Sequence, residues 1–414
     1  MGSFIEKIKE FFADKKRRII FISAAAALVA GIIILIAVLS GKDNDDGKTD
    51  INREIEPTAE AVTPTLSPTP MPTATPLPTA TPTPEITPEP SDIPEEILHE
   101  GEVVSVLDGT WVKEETAKTR PWCLMFNNIE FANPQSGTGD AKILYEILAE
   151  GGITRLMGVF EGMNEESTCS ARLGSVRSAR HYYASIADEY DAIFVHYGET
   201  TYATKKISEL KLDHLEGTHG EGSTVFYRDN SIKAPHNAFT SFEGIKAGIK
   251  LMKLREEHKE DFDRKHFTFG ETVLPEDSKA ANYIHLDYST YMKPYFTYDA
   301  ETGKYTRYQF GGVHIDYNTK EPLTFDNIII QLVKEWDKDK NGYQDIELAD
   351  ASGKGYYITG GKCIDITWKK NEKNKTCAYY DTEGNLLQIN PGKTFISLFP
   401  TGRLSRLEIS ETIK

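Results

Sequence analysis

The densest polar chemistry of this 414-residue chain lies between Glu146 and His181, where two glutamates are followed by three arginines. Glu146 and Glu150 are predicted to stand one helical turn apart. Arg177 and Arg180 are predicted at positions i and i+3 of a second helix, where they share a face near its N-terminus. With Arg155 they form a candidate clamp for a phosphate or a carboxylate, because guanidiniums bind both anions through paired hydrogen bonds.

Three interpretations of this cluster stay open. In the first, the cluster is the anion contact of a non-enzymatic binding module. In the second, it is catalytic. In the catalytic case Glu146 or Glu150 acts as the general acid or base, and the arginines stabilise developing charge. In the third case the arginines pair with Glu146, Glu150 and Asp188 and close the edge of a core. Catalysis requires an open cleft and a raised carboxylate pKa, whereas a structural role requires closed ion pairs.

Other catalytic signatures are missing from the sequence. It has no His-Glu-x-x-His motif, no Gly-x-Ser-x-Gly elbow and no phosphate-binding glycine loop with its lysine. The adjacent pair Asp213-His214 and the nearby His219 offer part of a zinc site. A third convincing ligand position is missing. We therefore predict no catalytic residue, no metal centre and no cofactor.

One segment partly matches a calcium-binding loop. Asp337, Asp339, Asn341 and Asp345 stand at positions 1, 3, 5 and 9 of an EF-hand pattern. Position 12, which should supply a bidentate glutamate, is Leu348. Because the flanks resemble strands rather than helices, an exposed polar turn is the favoured interpretation and calcium is a weaker candidate.

Strand-like apolar runs alternate with helical periods over residues 120–259, which favours a layered α/β domain. Strands are predicted at residues 122–126, 153–160 and 192–195. Helices are predicted from three apolar stripes: Ile143, Leu144, Ile147 and Leu148 behind an Asp140 cap; Val176, Ala179, Tyr183, Ile186 and Tyr190; and Phe242, Ile245, Ile249 and Met252 behind a Thr240–Glu243 capping box.

After about residue 295 the apolar period changes to two, and glycine-containing turns separate the apolar runs. This pattern predicts a β-rich second lobe, so that the fold class is α+β. The predicted strands cover residues 305–310, 327–332, 345–348, 356–358, 363–368, 377–380 and 394–399.

The four cysteines are too few for a disulfide scaffold. Cys363 and Cys377 are predicted in one hairpin, with Cys377 opposite about Trp368. That register places the two sulfur atoms beyond bonding reach, so free thiols are predicted.

The N-terminal quarter predicts the location of the protein. Basic residues precede 22 uncharged residues at 19–40, which suffice for one membrane-spanning helix with a cytoplasmic N-terminus. An uncleaved anchor is favoured over a cleaved signal peptide, because the apolar run is long and ends in a poor cleavage site. The predicted organisation is a basic cytoplasmic segment at 1–18, a transmembrane signal anchor at 19–40, a disordered Pro/Thr-rich stalk at 41–98, a mixed α/β domain at 99–294 and a β-rich domain at 295–414.

The formal net charge of the chain is −16, although the first 18 residues are net positive. An acidic extracytoplasmic part repels nucleic acid and other polyanions except at a local basic site. Nucleic-acid binding is therefore excluded, and the expected partners are the membrane, a wall polymer or another envelope protein.

Several motifs resemble the YerB-like envelope lipoprotein family in order along the chain. They are RPWCLMFNN at residues 120–128, PQSG at 134–137, YEILAEGGITR at 145–155 and SVRSAR at 175–180, followed by the β-rich segments 327–331 and 360–369. The resemblance implies a two-domain protein displayed outside the membrane of Gram-positive bacteria, with no established activity. Family members typically carry a lipidated cysteine, but this chain has no cysteine near its apolar run. The favoured function is a membrane-anchored, non-enzymatic binding or scaffold module of the envelope. The alternative is an envelope enzyme that acts on a phosphate- or carboxylate-bearing wall precursor.

Overall fold

The computed structural model describes residues 99–161, 171–260, 262, 265–371 and 376–414. The predicted cytoplasmic segment, membrane anchor and stalk at residues 1–98 lie outside the described residues. Among the helices of the described ranges, none is long and apolar enough to cross a bilayer. The described chain is a mixed α+β fold that is rich in strands and has few helices.

A mixed eleven-stranded sheet forms the centre of the fold. The strands follow the order β12-β22-β21-β18-β25-β4-β5-β3-β7-β8, and β23 pairs with β22. Their bounds are β3 Trp122–Asn128, β4 Ile143–Leu148, β5 Thr154–Phe160, β7 Ile193–His196, β8 His214–Glu216, β12 Lys279–Ala280, β18 Asn327–Val333, β21 Ser352–Thr359, β22 Lys362–Asn371, β23 Thr376–Tyr380 and β25 Thr394–Pro400.

The central sheet joins residues from both sides of the boundary predicted at residues 294 and 295. Strand β25 pairs in parallel with β18 on one side and with β4 on the other. Every residue of β3, β4, β18 and β25 is buried. Continuous burial is typical of strands that are covered on both faces, and it explains their unbroken apolar sequences.

A second sheet of six strands packs on one face of the central sheet through aromatic side chains. The ring of Phe395 lies 4.8 Å from that of Phe296 and 5.4 Å from that of Phe325, centroid to centroid. The strands are β13 Tyr283–Leu286, β14 Tyr295–Asp299, β15 Lys304–Gln309, β16 Gly312–Val313, β17 Thr324–Phe325 and β26 Leu407–Ser410.

Three strand pairs, one three-stranded sheet, five α-helices and three short 3₁₀ helices complete the described fold. The small strands are β1 Glu102–Val104, β2 Trp111–Lys113, β6 Leu173–Gly174, β9 Phe226–Arg228, β10 Ala238–Thr240, β11 Thr268–Phe269, β19 Glu335–Asp337, β20 Gln344–Ile346 and β24 Gln388–Ile389. The helices are α1 Glu114–Lys118, α2 His181–Glu189, α3 Thr201–Leu210, α4 Gly222–Val225 and α5 Phe242–Met252.

Helices cover both faces of the central sheet. Helix α2 packs its tyrosines into the cluster on one face, and α5 packs Ile245 and Ile249 into the cluster on the other. The predicted helix at α5 is confirmed, but the residue that caps it is different. Ser241 accepts from the amide of Gly244, whereas the Thr240 hydroxyl donates to the carbonyl of Val225.

One predicted helix is wrong, and another begins later than predicted. Residues 143–148 form the strand β4, because their apolar side chains are buried on both faces between β25 and β5. A short apolar run alone does not distinguish a buried strand from a helix. The second helix begins at His181 rather than near Val176. Residues 175–180 are extended, since the Arg177 amide donates to the Met125 carbonyl at 3.0 Å.

The strands predicted after residue 295 are confirmed, with ends that differ by a few residues. Three described cysteines are free: Cys123, Cys363 and Cys377. The predicted hairpin forms, but Cys377 stands opposite Lys370 rather than Trp368, a register error of two residues. Cys169 lies outside the described residues.

Candidate anion-binding site at the sheet edge

The candidate site lies where neighbouring parallel strands end. Strands β3, β7 and β8 run parallel, so their carboxyl ends meet at one edge of the central sheet. Residues 175–180 follow this edge, bonded to β3 on one side and to the loop after β7 on the other. Ligands commonly bind at the carboxyl ends of strands in open sheets, where the backbone and loops leave a crevice.

Three predicted arginines meet at this edge. Arg155 stands near the start of β5, which is antiparallel to β3, and pairs in register with Asn127 at the end of β3. Arg177 lies in the extended segment, and Arg180 immediately precedes α2. Glu150 is in the turn before β5. The structure therefore brings four of the five predicted residues together, although Arg177 and Arg180 are not on a helix.

Arg180 is a paired arginine. Its Nε and Nη2 atoms donate to the carboxylate of Glu150 at 2.6–2.9 Å, and Nη1 donates to the carbonyls of Ser178 and Ala179. Burial acts to raise the pKa of Glu150, but the hydrogen bonds and charge of Arg180 prevail and lower it. This pair therefore stays ionised and forms one wall of the site.

Arg155 is buried, and no ion pair joins it to a carboxylate among the described residues. It is only 3% exposed, and its Nε and Nη1 atoms have no hydrogen-bond partner within the described part of the chain. Burial lowers the pKa of Arg155 to about 9, and the charges of Arg180 and Arg177 act in the same direction. A buried donor without a partner costs about 1–3 kcal/mol, and more when it is charged.

Arg177 is only partly satisfied. Its Nη1 donates to the carbonyl of Pro235 at 3.1 Å, while its buried Nε has no partner among the described residues. Burial lowers the pKa of Arg177, and the charge of Arg180 adds to this effect. Arg155 and Arg177 thus leave cationic donors free for an anion.

Polar and aromatic side chains surround these two guanidiniums. Asn127 donates from Nδ2 to His236 at 3.0 Å, and its Oδ1 has no partner within the described ranges. Burial and the charges of Arg177 and Arg155 lower the pKa of His236. The ring of Phe131, which is 59% exposed, stands edge-on against His236 at 5.7 Å.

Glu146 does not belong to this site, contrary to the sequence prediction. It is fully buried in β4, where its Oε2 accepts from Nη2 of Arg307 at 2.7 Å. Its Oε1 accepts from Asn128 at 3.0 Å and from Thr154 at 2.6 Å. Because the chain is extended here, Glu146 and Glu150 are not one helical turn apart. Of the predicted ion pairs, the one between Arg180 and Glu150 forms within the cluster.

Two family models match the chain. The model of the N-terminal domain of the protein of unknown function DUF3048 matches residues 107–255, and the model of the C-terminal domain matches residues 284–396. The chain belongs to the DUF3048 family. It is 32% identical to the putative lipoprotein YerB of Bacillus subtilis over 302 residues, which cover 71% of this chain and 85% of that protein. The crystal structure of YerB from Bacillus subtilis matches with a TM-score of 0.64 and 28% identity, covering 74% of this chain and 99% of that one.

These matches confirm the family resemblance predicted from the sequence motifs. The two DUF3048 domains end and begin on either side of residues 256–283. The domain boundary at residues 294 and 295 stays a prediction, while strands from both matched domains pair within one sheet. The arginines of the edge site all lie in the N-terminal DUF3048 domain, whereas the Arg307 partner of Glu146 lies in the C-terminal one.

The predicted calcium turn of this DUF3048 protein joins β19 and β20, so its flanks are strands as the sequence indicates. Its carboxylates are engaged by protein donors. Asp345 contacts Nε2 of His181 at 2.6 Å and also pairs with Lys338. Asp339 accepts from the Tyr202 hydroxyl at 2.9 Å. Calcium binding at this turn stays a prediction.

A cluster that the sequence did not predict lies at the same sheet edge. His196 at the end of β7, His214 at the start of β8 and Glu199 in the loop after β7 bring their ligand atoms within 4.8 Å of one another. Burial lowers the pKa of His196 to about 3, and the charge of His214 adds to this effect.

The zinc ligands considered from the sequence are not brought together. Asp213 pairs with Arg120 at 2.6 Å, and the exposed His219 pairs with Glu216 at 2.6 Å. Only His214 of that set lies in the cluster. The His196–Glu199 spacing of three residues was the one local signal, and it carries little information without the partner strand.

Proposed function

We propose that this DUF3048 protein is a membrane-anchored protein of the cell envelope that binds an anionic wall polymer at its arginine edge site. The observation that carries the proposal is Arg155, a buried guanidinium whose Nε and Nη1 atoms have no partner among the described residues, beside a second, partly satisfied arginine. Burying this charge costs free energy when the chain folds, and binding of an anionic ligand offsets that cost.

The location follows from the N-terminal sequence. The basic residues 1–18 and the apolar residues 19–40 support a single membrane-spanning helix with its N-terminus in the cytoplasm and its C-terminal domains outside. The similarity to a putative lipoprotein agrees with an envelope location. The Pro/Thr-rich residues 41–98 then serve as a stalk that extends the folded part away from the membrane.

Proteolysis of intact cells tests this topology. We expect external protease to release a soluble fragment that begins within residues 41–98 and to leave residues 1–18 protected. A folded part that stays protected in intact cells, while it is cleaved after lysis, would overturn the orientation.

The chemistry of the site favours an acidic polymer as its ligand. Phosphate and carboxylate oxygens accept paired hydrogen bonds from guanidinium donors, and such charge-assisted bonds are stronger than neutral ones. Exposed aromatic rings lie near residues of the site: Phe131 stands against His236, and Tyr291, which is 69% exposed, lies beside Gly152, two residues after Glu150. Flat apolar rings beside charged donors suit a ligand that combines an apolar face with an acidic group, as an acidic glycan does.

The geometry supports binding over catalysis by the predicted glutamates. A general acid at neutral pH needs a raised pKa and reach to the substrate. Glu146 is fully buried against Arg307, and the pKa of Glu150 is lowered by its bonds to Arg180. Glu146 cannot reach a substrate and Glu150 has no raised pKa, so the enzymatic alternative loses its proposed acid and base.

Sedimentation with purified cell walls tests the ligand site, using the full-length chain in detergent. We expect Arg177→Ala to weaken binding at least about tenfold, since a hydrogen bond to a charged group contributes roughly 1.5–3 kcal/mol. Its melting temperature should stay near that of the wild type, because Arg177 has no carboxylate partner within the described chain. The control is Arg406→Ala, which removes an arginine that pairs with Asp287 outside the site.

The wall preparation identifies the anion. Binding that disappears after phosphate-linked polymers are removed chemically from the walls assigns the site to phosphate. Binding that persists, and still requires Arg177, assigns it to carboxylates of the remaining wall. Equal binding by the wild type and Arg177→Ala in both preparations would rule out the proposed site.

A further inference from the structure

We propose that His196, Glu199 and His214 form a binding site for one divalent transition-metal ion of the zinc class, with three protein ligands and one open position. The cluster lies at the carboxyl end of β7 and the start of β8. The proposal is independent of the arginine site, because it involves neither its residues nor its ligand.

The donor atoms are already spaced for coordination. Nε2 of His196 lies 3.1 Å from Nδ1 of His214 and 3.8 Å from Oε2 of Glu199. In a tetrahedral zinc site with metal–ligand bonds of about 2.0–2.1 Å, neighbouring donors are roughly 3.3 Å apart. The distance between Oε2 of Glu199 and Nε2 of His196 would therefore shorten by roughly half an ångström on coordination, and all three donor atoms already lie within 4.8 Å of one another.

The surroundings orient His196 as a ligand. Its Nδ1 lies 3.0 Å from the carbonyl oxygen of Gly198, which can only accept a hydrogen bond. Nδ1 therefore carries the proton, and the lone pair of Nε2 points into the cluster. A backbone carbonyl that fixes the tautomer of a histidine in this way is the usual outer-shell arrangement in metal sites.

Glu199 is held in the same manner. Its Oε1 accepts from the hydroxyl of Thr204 at 2.8 Å, which fixes the carboxylate. Its other oxygen, Oε2, is buried and has no hydrogen-bond partner in the described ranges. This oxygen instead faces the lone pair of His196, so that two acceptors point at each other. A cation between them removes this conflict.

A hydrogen bond alone does not explain the cluster. The Nδ1 of His214 can donate to His196, which satisfies the two imidazoles but leaves Oε2 of Glu199 without a donor. The nearby Glu216 is unavailable as a donor, since its oxygens accept from the amides of Gly198 and Thr218. Two imidazoles and one carboxylate are ligands that zinc accepts, and three protein ligands leave a fourth position for water or an anion.

Two of the three ligand residues are partly accessible to solvent. His196 is fully buried, but Glu199 and His214 are both partly exposed. Full closure by four protein ligands is typical of structural zinc sites, whereas three ligands with one accessible side are typical of sites where the ion contacts a small molecule.

Titration with the metal ion alone tests the proposal. The full-length chain in detergent is stripped with a chelator and titrated with Zn²⁺ by calorimetry, and with Co²⁺ by visible absorption. We expect one equivalent of either ion to bind and Zn²⁺ to raise the melting temperature. His214→Ala and Glu199→Gln should each weaken Zn²⁺ binding by at least about 100-fold, since loss of even a supporting outer-shell group costs roughly 10–100-fold.

The variants are chosen so that folding does not obscure the result. His214 and Glu199 are partly exposed, and circular dichroism verifies that both variants fold. His285→Ala is the matched control, because His285 lies in the second sheet, outside the cluster, and should bind Zn²⁺ like the wild type. Wild-type protein that binds neither ion, or that binds no more tightly than His214→Ala, would refute the site.

Discussion

Two buried arginines of this protein share a residue type and a degree of burial but differ in their partners. Arg307 is fully buried, with a carboxylate at 2.7 Å on Nη2 and His314 at 2.6 Å on Nη1. Arg155 is 3% exposed, and its Nε and Nη1 atoms have no partner in the described part of the chain. The first arginine joins two sheets of the fold. The second places an incompletely paired positive charge at the edge of the central sheet. The stability of the fold alone does not require a charge there.

The surroundings of Arg307 show what a closed ion pair looks like, although its Nε, like that of Arg155, has no hydrogen-bond partner in the described part of the chain. Glu146 accepts from Asn128 and Thr154 as well as from Arg307, and His314 donates in turn to Gln135 at 2.7 Å. Burial and the charge of Arg307 hold the pKa of His314 well below its usual value, so the ring stays neutral and accepts from the guanidinium. Each side chain of this network is held by a hydrogen bond to another member.

Removing one member of the closed pair of Arg307 and Glu146 should change the free energy of unfolding most. We expect Arg307→Met to lower the free energy of unfolding by about 3–5 kcal/mol, because it leaves the charge of Glu146 buried and unpaired. For domains of 150–250 residues each kcal/mol shifts the melting temperature by roughly 2–4 °C, and thermal denaturation measures the shift.

The double variant Arg307→Met with Glu146→Leu separates charge from packing. It should be more stable than Arg307→Met alone, since both charges are gone. Arg406→Met is the exposed control and should change stability little, because its side chain is 36% exposed. If Arg307→Met melted like the wild type, the closed pair would not stabilise the fold.

Replacing Arg155, the arginine with unpartnered donors, should change the free energy of unfolding in the opposite direction. We expect Arg155→Met to raise the free energy of unfolding by about 1–3 kcal/mol, because an apolar side chain of similar length removes the cost of buried donors. The same variant should lose wall binding. Thermal denaturation and wall sedimentation measure the two effects, and a large loss of stability would contradict the assignment of Arg155 as unpaired.

A partly buried pair should give an intermediate effect that depends on pH. Burial acts to raise the pKa of Asp345, but hydrogen bonds from His181 and Lys338 prevail and lower it to about 2 from 3.8. Because the folded-state pKa is depressed, the stabilisation is present above about pH 4 and is lost as the pH falls towards 2. Asp345→Asn should therefore lower stability by about 1–2 kcal/mol at pH 6, and the difference should shrink at pH 2–3.

Denaturant unfolding at several pH values measures this difference. An equal difference between Asp345→Asn and the wild type at pH 6 and pH 2.5 would show that the ionised carboxylate is not what stabilises the fold. His99→Ala is a comparison variant, because His99 and Glu102 form a more exposed pair, with side chains 27% and 38% accessible.

The fully exposed pair should give the smallest effect. Glu114 and Lys118 lie at i and i+4 of α1 with side chains 59% and 63% exposed. Solvent and salt screen such pairs, so we expect Glu114→Gln to leave the melting temperature unchanged within error. A clear shift at low ionic strength that persists in high salt would show an additional contact.

Much of the C-terminal part could be predicted because its signals are local. Residues 363–368 and 394–399 were predicted as strands and lie within β22 and β25. Alternating or continuous apolar runs between glycine turns specify strands without knowledge of their partners. The helix over 242–252 was predicted for the same reason, since its apolar stripe repeats at helical spacing and a polar cap precedes it.

The errors arose where a partner decides the conformation. Residues 143–148 have a composition that suits both a helix and a buried strand, and pairing with β25, about 250 residues later, decides for the strand. Residues 175–180 continue a helical apolar period, yet they are extended because β3 and the loop after β7 satisfy their backbone groups. No local sequence pattern indicates that β25 lies between β18 and β4 in the sheet.

The sequence by itself determined the family, the strand and turn positions of the C-terminal part, and the concentration of Arg155, Arg177, Arg180 and Glu150 in one region. These properties depend on residues that are near one another along the chain. Only the tertiary structure decided that Glu146 belongs to Arg307, that Nε and Nη1 of Arg155 have no partner among the described residues, and that His196 and Glu199 meet His214. Partners on different strands are set by sheet order and register, and these follow from packing of the whole sheet rather than from any local pattern.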